Sequence, residues 1–552
     1  MKDVFLIEVS FEVANMVGGI YSVLASKSIK MMERFPNYLA IGFYDPFKSP
    51  NDFISKKAEP EIEYILEDLK KEGIVPYYGL WKGGNCSPCI LLETKSCVNN
   101  EDIKNDIKRR NWELFGIDSL NSPFTYDEPI VWSEAAGKLI ELLIKTDFYK
   151  DKKSVVIAHE WLSSGVIFRK KAKKLDYKTI FMAHQTMHGR EDSALGMEVA
   201  SLIDEELRNG KTVSPKRAYE INIAAKHLTE RAASRYADLF VTVSYITAKE
   251  AEYYLGKAPD MVLPNGIDLK RFDRLEKNLN KNKILRFINA FFYPYYDLEN
   301  IDLIALTSGR YEFENKGFDL FISSLAKLNE ELKTIEEEKI VIAFFLVPAA
   351  VKGLNSDVAN IIEKYPSEKL RETYKGMTPR LSTHDYLQEN DPILNLCWKL
   401  GLRNEKTDTV KVIAIPDYIR RDNPPIHLDY FDFVSACDVG VFPSKYEPFG
   451  LTPLETAACG CISITTDLAG FGVELLSMEK GKRHDGIYVL PRRNKSFDET
   501  SNILKNFLFE LATMPEKDKS ELKKKSRELA SIFSWDRVIE NYVKAVERVL
   551  EV

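Results

Sequence analysis

The sequence has few cysteines, little net charge and no long apolar run. Seven cysteines in 552 residues exclude a disulfide-stapled extracellular scaffold and are typical of a reducing compartment. The longest strongly apolar stretch, Ile340 to Val351, holds twelve residues including Pro348, whereas a membrane-spanning helix needs about 20. The apolar run after Met1, Val4 to Ile7, is too short for a secretory signal. With 77 basic and 83 acidic residues, nothing indicates a nucleic-acid or membrane partner. These absences predict a cytoplasmic protein.

The apolar content and the length predict an enzyme of two large domains. Hydrophobic residues make up 45% of the chain, and domains usually hold about 100–200 residues, so a chain of this size divides into about two to four. Short apolar runs alternate with amphipathic segments, the pattern of doubly wound parallel sheets. The predicted strands are Val4–Val9, Leu39–Phe43, Val155–His159, Thr179–Ala183, Leu239–Val243, Leu303–Thr307, Ile340–Val347, Val410–Ile415, Val439–Phe442 and Ile462–Thr466.

The sequence predicts an α/β protein of two Rossmann-like domains. A Lys/Asn-rich and aromatic segment between Pro264 and Asn300 separates two sets of strands. We therefore expect a first domain over 1–280, joined by an amphipathic helix at 535–552, and a second over 281–534. Helices are predicted at Ala218–Arg235 and Phe318–Leu332. Ligands of such sheets bind at the carboxyl ends of the strands.

No metal site is predicted. Cys86 and Cys89 form a C-x-x-C pair, but a structural zinc site needs four ligands, and only Cys97 lies nearby.

Two candidate sites lie in the first half. Gly18 and Gly19 follow the first strand, where backbone amides at a helix N-terminus can approach an anion. The alternative is a tight turn that needs positive φ at a glycine. His184 and Arg190 belong to a polar segment that directly follows an apolar strand, which favours a functional site at the edge of the sheet. His184 is alternatively a satisfied core histidine, and Arg190 a surface residue.

A cationic loop opens the second half. Arg310 and Lys316 stand six positions apart after the strand that begins at Leu303, so both can converge on a diphosphate. The alternative is an ordinary charged loop, in which Glu312 and Glu314 neutralise both cations locally.

The most specific segment is the loop and helix start after the strand Val439–Phe442. Glu447 lies on a loop framed by proline and glycine, and Glu455 lies in the second turn of the following helix. The amides near Leu451 and Thr452 then sit at a helix N-terminus, which favours a phosphate. Two solvated acids are the alternative for either glutamate alone.

Taken together, these segments resemble the glycogen synthases of the animal and fungal type. The resemblance rests on the segments EVANMVGGIYSV, AHEWLSSG, AHQTMHGR, SGRYEFENKG, YEPFGLTPLE and TTDLAGFG, which stand in the family's order over nearly the whole chain. It implies the GT-B architecture, with two Rossmann-like doubly wound domains facing a central cleft. It also implies a retaining glucosyltransferase.

The resemblance implies a role for each candidate residue. Arg310 and Lys316 would hold the donor diphosphate with the backbone of Leu451 and Thr452, and Glu447 would contact the glucosyl ring. The other implied contacts are Glu455 near the ribose, Tyr418 and Tyr430 around the nucleobase, His184 and Arg190 at the sugar and phosphates, and Gly18 and Gly19 along the phosphates.

The expected activity is glucose transfer from UDP-glucose, or less favourably ADP-glucose, to an α-1,4-glucan such as glycogen, without metal or cofactor. Another retaining hexosyltransferase and a catalytically weakened glucan-binding scaffold remain alternatives. Met16 stands where the family has lysine. The segment 349–385 is shorter than the insertion that builds the family's tetramer, so a homo-oligomer stays open. The stretch from Lys523 to Arg527 is interpreted as a solvated helix face in place of the family's arginine-rich effector site.

Overall fold

The structure, a computed structural model, describes residues 1–298 and 300–552. The chain divides into two compact units. Met1–Asp268 and Phe533–Val552 form the first, and Leu269–Ile532 form the second. Across the described residues no helix is long and apolar enough to cross a membrane.

The first unit is built on a sheet that has nine strands in the described part of the chain, in the order β3-β4-β5-β2-β1-β6-β7-β8-β9. Strands β3 and β4 pair antiparallel, as do β4 and β5, and the remaining neighbours are parallel. The strands are β1 (Val4–Val9), β2 (Asn37–Phe43), β3 (Phe53–Ser55), β4 (Val75–Trp81), β5 (Ser87–Glu93), β6 (Lys153–His159), β7 (Lys178–Ala183), β8 (Leu239–Thr242) and β9 (Met261–Val262).

Helices cover this sheet, and every residue of β1 is buried, as expected of a central parallel strand. The helices are α1 (Gly19–Arg34), α2 (Ser49–Asp52), α3 (Pro60–Lys71), α4 (Lys95–Val98), α5 (Glu101–Phe115), α6 (Phe124–Leu143), α7 (Gly165–Lys173), α8 (Met187–Ala194), α9 (Val199–Arg208), α10 (Arg217–Glu220), α11 (Ala224–Tyr236) and α12 (Tyr245–Glu250).

The second unit has a six-stranded parallel sheet in its described residues, in the order β14-β11-β10-β15-β16-β17, and a separate antiparallel pair, β12 and β13. The strands are β10 (Leu303–Ser308), β11 (Val341–Leu346), β12 (Val351–Leu354), β13 (His384–Tyr386), β14 (Val410–Ala414), β15 (Val439–Val441), β16 (Ile462–Thr466) and β17 (Ile487–Leu490).

The helices of the second unit are α13 (Lys277–Phe292), α14 (Phe318–Leu332), α15 (Ser356–Lys364), α16 (Glu368–Thr373), α17 (Pro392–Lys399), α18 (Tyr430–Ser435), α19 (Leu451–Ala458), α20 (Gly470–Ser477), α21 (Phe497–Thr513) and α22 (Glu516–Ala530). From β10 the chain moves outward through β11 to β14 on one side and through β15 to β17 on the other. The point where β10 meets β15 is therefore the topological switch point of a doubly wound sheet.

The last helix, α23 (Trp535–Glu551), packs against α1 and β7 within the first unit. Its apolar face is buried at Val538, Ile539 and Tyr542 among others, and the Trp535 indole donates to Ser26 Oγ over 2.8 Å. The predicted amphipathic helix is confirmed.

The predicted fold class is confirmed, and all ten predicted strands are present within a residue or two of their expected ends. The helix predicted over Ala218–Arg235 is wrong as one element: it divides into α10 and α11 at Asn222, whose φ of +57° ends a helical turn. The Lys/Asn-rich segment predicted to separate the strand sets forms the start of α13, where Asn280 donates to Asp432 over 3.0 Å.

The lysine-rich stretch on α22 is only partly a solvated face. Lys524 is exposed, but Lys523 lies 2.5 Å from the buried carboxylate of Asp438. Arg527 donates to the carbonyl of Ala458 and pairs with Asp273, each over 2.5 Å. Two of the cations therefore hold α22 against the rest of the second unit.

Candidate functional site

In the second unit, three loops leave the carboxyl ends of adjacent parallel strands. They follow β10, β15 and β16, which are neighbours in the sheet, so their residues meet at one edge. Lys445 N–H donates to the carbonyl of Asn315 over 2.8 Å, which ties the first loop to the second. Gly470 N–H donates to the carbonyl of Glu447 over 3.0 Å, which ties the second loop to the third.

A glycine fixes the first of these loops. Gly317, the N-cap of α14, has a φ of +70°, and a Cβ added there would lie 2.1 Å from the carbonyl oxygen of Pro443. Only glycine fits this position without displacing a backbone. The neighbouring residue, Lys316, is thereby held against the loop that carries Glu447.

Lys316 and Glu447 form the centre of this site. The Lys316 ammonium is hydrogen-bonded to Glu447 Oε2, and the two side chains are 16% and 24% exposed. A small cavity is lined by both residues together with Ser308, Thr452 and Ala469 among others. A cation and a carboxylate thus face one cavity at the switch point of the sheet.

Helix α19 begins beside this ion pair. Its N-cap is Gly450, with a φ of +101°, which has no side chain to cap the first amides of the helix. The partly exposed Leu451 and Thr452 are the first two helical residues. Their amides and the positive end of the helix dipole suit a phosphate group.

Glu455 lies on the same helix, one turn further on. The residue as a whole is partly exposed. Burial of its carboxyl group raises the pKa of that group to about 7, although the positive charge of Arg271 lowers it. A carboxyl group in this state can donate as well as accept a hydrogen bond near neutral pH.

The other predicted residues of the second unit lie at the periphery. Arg310 is 66% exposed and lies 3.0 Å from Glu312, so the local neutralisation that the sequence left open is present for this cation. Tyr430 begins α18, its hydroxyl lies 2.7 Å from Ser308 Oγ, and burial raises the pKa of its phenol. Tyr418 is 66% exposed, and its backbone amide donates to Asp417.

In the first unit, the loop with Gly18 and Gly19 is exposed, as is Met16 at 63%. Gly18 has a φ of −152°, so the tight turn with positive φ is not the reason for this glycine. The Gly18 and Tyr21 amides donate to Glu12 Oε2 over 2.8 and 2.9 Å. A carboxylate of the chain itself therefore occupies the start of α1.

His184 and Arg190 follow β7, which neighbours β6 in the sheet. His184 is buried, and burial holds the pKa of its imidazole well below the usual range. Its Nε2 lies 2.9 Å from His159 Nδ1, so this one ring nitrogen has a partner in the core. Arg190 is exposed on α8, near enough to Glu160 for its charge to lower the pKa of that carboxyl.

Glu160 is a candidate that the sequence reasoning missed. It lies at the end of β6 with a φ of +63°, and its Oε1 accepts from the amides of His184 and Gln185 over 2.7 and 3.1 Å. Burial, and to a smaller extent the charge of Glu12, raise the pKa of its carboxyl to about 8, although the hydrogen bonds from the His184 and Gln185 amides oppose this rise. The signal was present, because Glu160 directly follows the predicted strand Val155–His159 in the segment AHEWLSSG.

No group of three or more His, Cys, Asp or Glu side chains in the described ranges is placed to hold a metal ion. All seven cysteines are free; Cys86 is exposed and Cys89 is buried.

Known proteins resemble this chain along its whole length. A sequence profile for glycogen synthase matches residues 8–378 and 367–552. The chain is 32% identical to the glycogen (starch) synthase of Neurospora crassa, an alignment that covers 99% of this chain and 83% of that protein. It is 30% identical to the liver glycogen (starch) synthase of Rattus norvegicus, with 97% and 82% covered.

Solved structures share the fold. The catalytic domain of starch synthase IV from Arabidopsis thaliana, bound to ADP and acarbose, has a TM-score of 0.59 at 14% identity and covers 100% of this chain and 99% of its own. A trehalose-6-phosphate structure from E. coli, bound with UDP-2-fluoro glucose, has a TM-score of 0.53 at 12% identity with 98% of each chain covered. These neighbours are glycosyltransferases of the GT-B fold.

Proposed function

The chain belongs to the glycogen synthase family of glycosyltransferases, and from this premise we propose that it transfers glucose from UDP-glucose to the non-reducing end of an α-1,4-glucan. In this proposal the anomeric configuration is retained, and the leaving group is a nucleoside diphosphate.

The observation that carries the proposal is the Lys316–Glu447 pair at the switch point of the second sheet. As the glycosidic bond breaks, negative charge grows on the diphosphate and positive charge grows on the glucosyl carbon. A fixed ammonium beside a fixed carboxylate can oppose both charges without reorganisation. Lys316 would stabilise the leaving group, and Glu447 would face the sugar.

The amides of Leu451 and Thr452 would add neutral donors to the same diphosphate, because they begin a helix whose N-cap has no side chain. Arg310 would contribute a second cation after exchanging Glu312 for phosphate, a change that its exposure permits. With these groups supplying the positive charge, the proposal needs no metal ion.

The remaining predicted contacts belong to the same proposal. Tyr418 and Tyr430 would contact the nucleobase, and Glu455 would contact the ribose. From the first unit, His184 and Arg190 would approach the sugar and phosphates. Gly18 and Gly19 would line the phosphates once Glu12 releases the amides of Gly18 and Tyr21, which its carboxylate holds at the start of α1.

The nucleobase is the least constrained part. Of the structural neighbours, one holds ADP and another a UDP sugar, so the fold accommodates either nucleotide. The choice of UDP rests on the similarity to fungal and mammalian glycogen synthases. A cytoplasmic location remains a prediction.

The test offers purified protein glycogen with radiolabelled UDP-glucose or ADP-glucose and measures nucleotide release and label in the polymer. We expect transfer from both or from UDP-glucose alone, with a higher kcat/KM for UDP-glucose. A preference for ADP-glucose would overturn the donor assignment. The absence of transfer from either donor would overturn the proposed activity.

A further inference from the structure

A chain of hydrogen bonds crosses the core of the first unit and ends on His184. Glu8, in the middle of β1, lies with its Oε1 2.5 Å from the Lys27 ammonium and 2.8 Å from His159 Nε2. Its other oxygen accepts from the Tyr38 hydroxyl over 2.7 Å. His159 Nδ1 in turn lies 2.9 Å from His184 Nε2. The strands β1, β6 and β7 that carry Glu8, His159 and the residue before His184 are adjacent.

The hydrogen-bond partners of Glu8, His159 and His184 determine which atom of each bond carries the proton. Burial raises the pKa of Glu8, but the charges and hydrogen bonds of Lys27 and His159 together outweigh it and hold that pKa below its usual range, so the carboxylate is ionised and only accepts. Burial keeps the pKa of His159 below its usual value, so the ring is neutral and donates from Nε2. Its Nδ1 is then an acceptor, and His184 must donate from Nε2. His184 Nδ1 is left as a lone pair.

The backbone of His184 is held from the same strand end. Glu160, the residue after His159, accepts from the amides of His184 and Gln185. Two consecutive residues at the end of β6 therefore fix the ring and the backbone of His184 separately.

Stability alone does not account for this cluster. Glu8 and Lys27 are both fully buried, and Lys27 is covered by the ring of Tyr542 at 4.5 Å. A buried ion pair is often no more stabilising than apolar side chains of the same volume. What apolar side chains could not supply is a directed donor and acceptor at each step.

We propose that Glu8 and His159 are positioning residues that lock the tautomer and orientation of His184, so that its ring offers only a hydrogen-bond acceptor, at Nδ1, to a substrate hydroxyl. The inference rests on the proposed function, in which His184 approaches the glucosyl group. His184 would accordingly select a sugar hydroxyl as donor and reject a ligand group that only accepts.

The test compares His159→Phe, which keeps a ring but removes the acceptor, with His159→Gln, which keeps one donor and one acceptor. With glycogen and UDP-glucose, we expect His159→Phe to lower kcat/KM by about 100-fold, the scale of a small misplacement of a reacting group. His159→Gln should recover most of the loss. Tyr177→Phe removes an unrelated buried hydrogen bond, to the carbonyl of Val166, and should leave kcat/KM unchanged.

A double variant separates positioning from structure. If His159 acts through His184, the His159→Phe/His184→Ala protein should be no slower than His184→Ala alone. Additive losses, or a folded His159→Phe protein with wild-type kcat/KM, would overturn the proposal.

Nitrogen-15 NMR of histidine-labelled wild-type protein tests the tautomer assignment without measuring turnover. The His184 signals, identified by their loss in His184→Ala, should show a protonated Nε2 and an unprotonated Nδ1. The opposite tautomer would contradict the inference. Absence of glucose transfer by the wild-type protein together with the expected tautomer would instead contradict the proposed function.

Discussion

Replacing Lys316 by alanine separates an effect on catalysis from an effect on stability. The Lys316 stem passes Gly309, where an added Cβ would lie 3.6 Å from Lys316 Cδ, and its ammonium reaches Glu447. The substitution therefore removes one cation from the cavity and leaves the loops around the cavity unchanged.

The two expected magnitudes differ widely. A donor that opposes transition-state charge contributes about 100-fold to 1,000-fold in rate, or about 2.7–4 kcal/mol. The ion pair with Glu447 is partly exposed at 16% and 24%, and such pairs contribute about 0–1 kcal/mol to stability. A loss of that size shifts the Tm of a unit this large by no more than about 4 °C.

The assay measures kcat/KM by nucleotide release with glycogen and UDP-glucose, and Tm by calorimetry. Lys327→Ala is the matched control, because Lys327 is a partly exposed residue of α14 that pairs with Asp498 of α21 over 2.6 Å, away from the three loops. We expect a large loss of kcat/KM in Lys316→Ala only, with both Tm values near wild type. A folded Lys316→Ala protein within about threefold of the wild-type kcat/KM would refute the reasoning.

Three further predictions concern pH, backbone and charge. Burial raises the pKa of Glu160 in the folded protein to about 8, above the ordinary value of 4.5, so the unfolding free energy falls as pH rises through this interval. Urea titrations at about pH 5 and 8 give the loss of unfolding free energy between these pH values, and Glu160→Gln should reduce this loss by roughly a few kcal/mol. An equal loss in Glu160→Gln and wild type would contradict the prediction. Gly317→Ala, whose Cβ would meet Pro443, should lower Tm and activity far more than Gly376→Ala, which shares a positive φ but faces open space; equal effects would contradict the steric argument. Arg310→Ala should leave Tm unchanged, because this side chain is 66% exposed, yet lower kcat/KM at least about tenfold; wild-type kinetics would remove Arg310 from the donor site.

The central strands were predictable because strands buried on both faces are rich in apolar and β-branched residues. The runs at Val4–Val9 and Ile462–Thr466 match β1 and β16 residue for residue. Strands β4 and β5 were not predicted. Strand β4 carries Pro76 and Gly79, and it pairs antiparallel with β5 at one side of the sheet. Such strands lack the continuous apolar pattern of parallel core strands.

The site was predictable where a motif fixes the backbone, and less so where long-range partners decide. The resemblance implied that Lys316 and Glu447 serve one donor, and in the structure the two side chains meet because they follow neighbouring strands. The capture of the Gly18 amide by Glu12 depends on a side-chain rotamer that spacing does not specify. The same holds for the contact of His159 with Glu8, which lies 151 residues away in the chain.

The most direct test of the proposed glucose transfer uses a short α-1,4-glucan primer that carries a label at its reducing end. The primer is incubated with the wild-type protein and with UDP-glucose as the donor. We expect a ladder of products one glucose apart, labelled at the original end and fully digested by an exo-acting α-1,4-glucanase. An unextended primer, whether or not UDP is released, would contradict it.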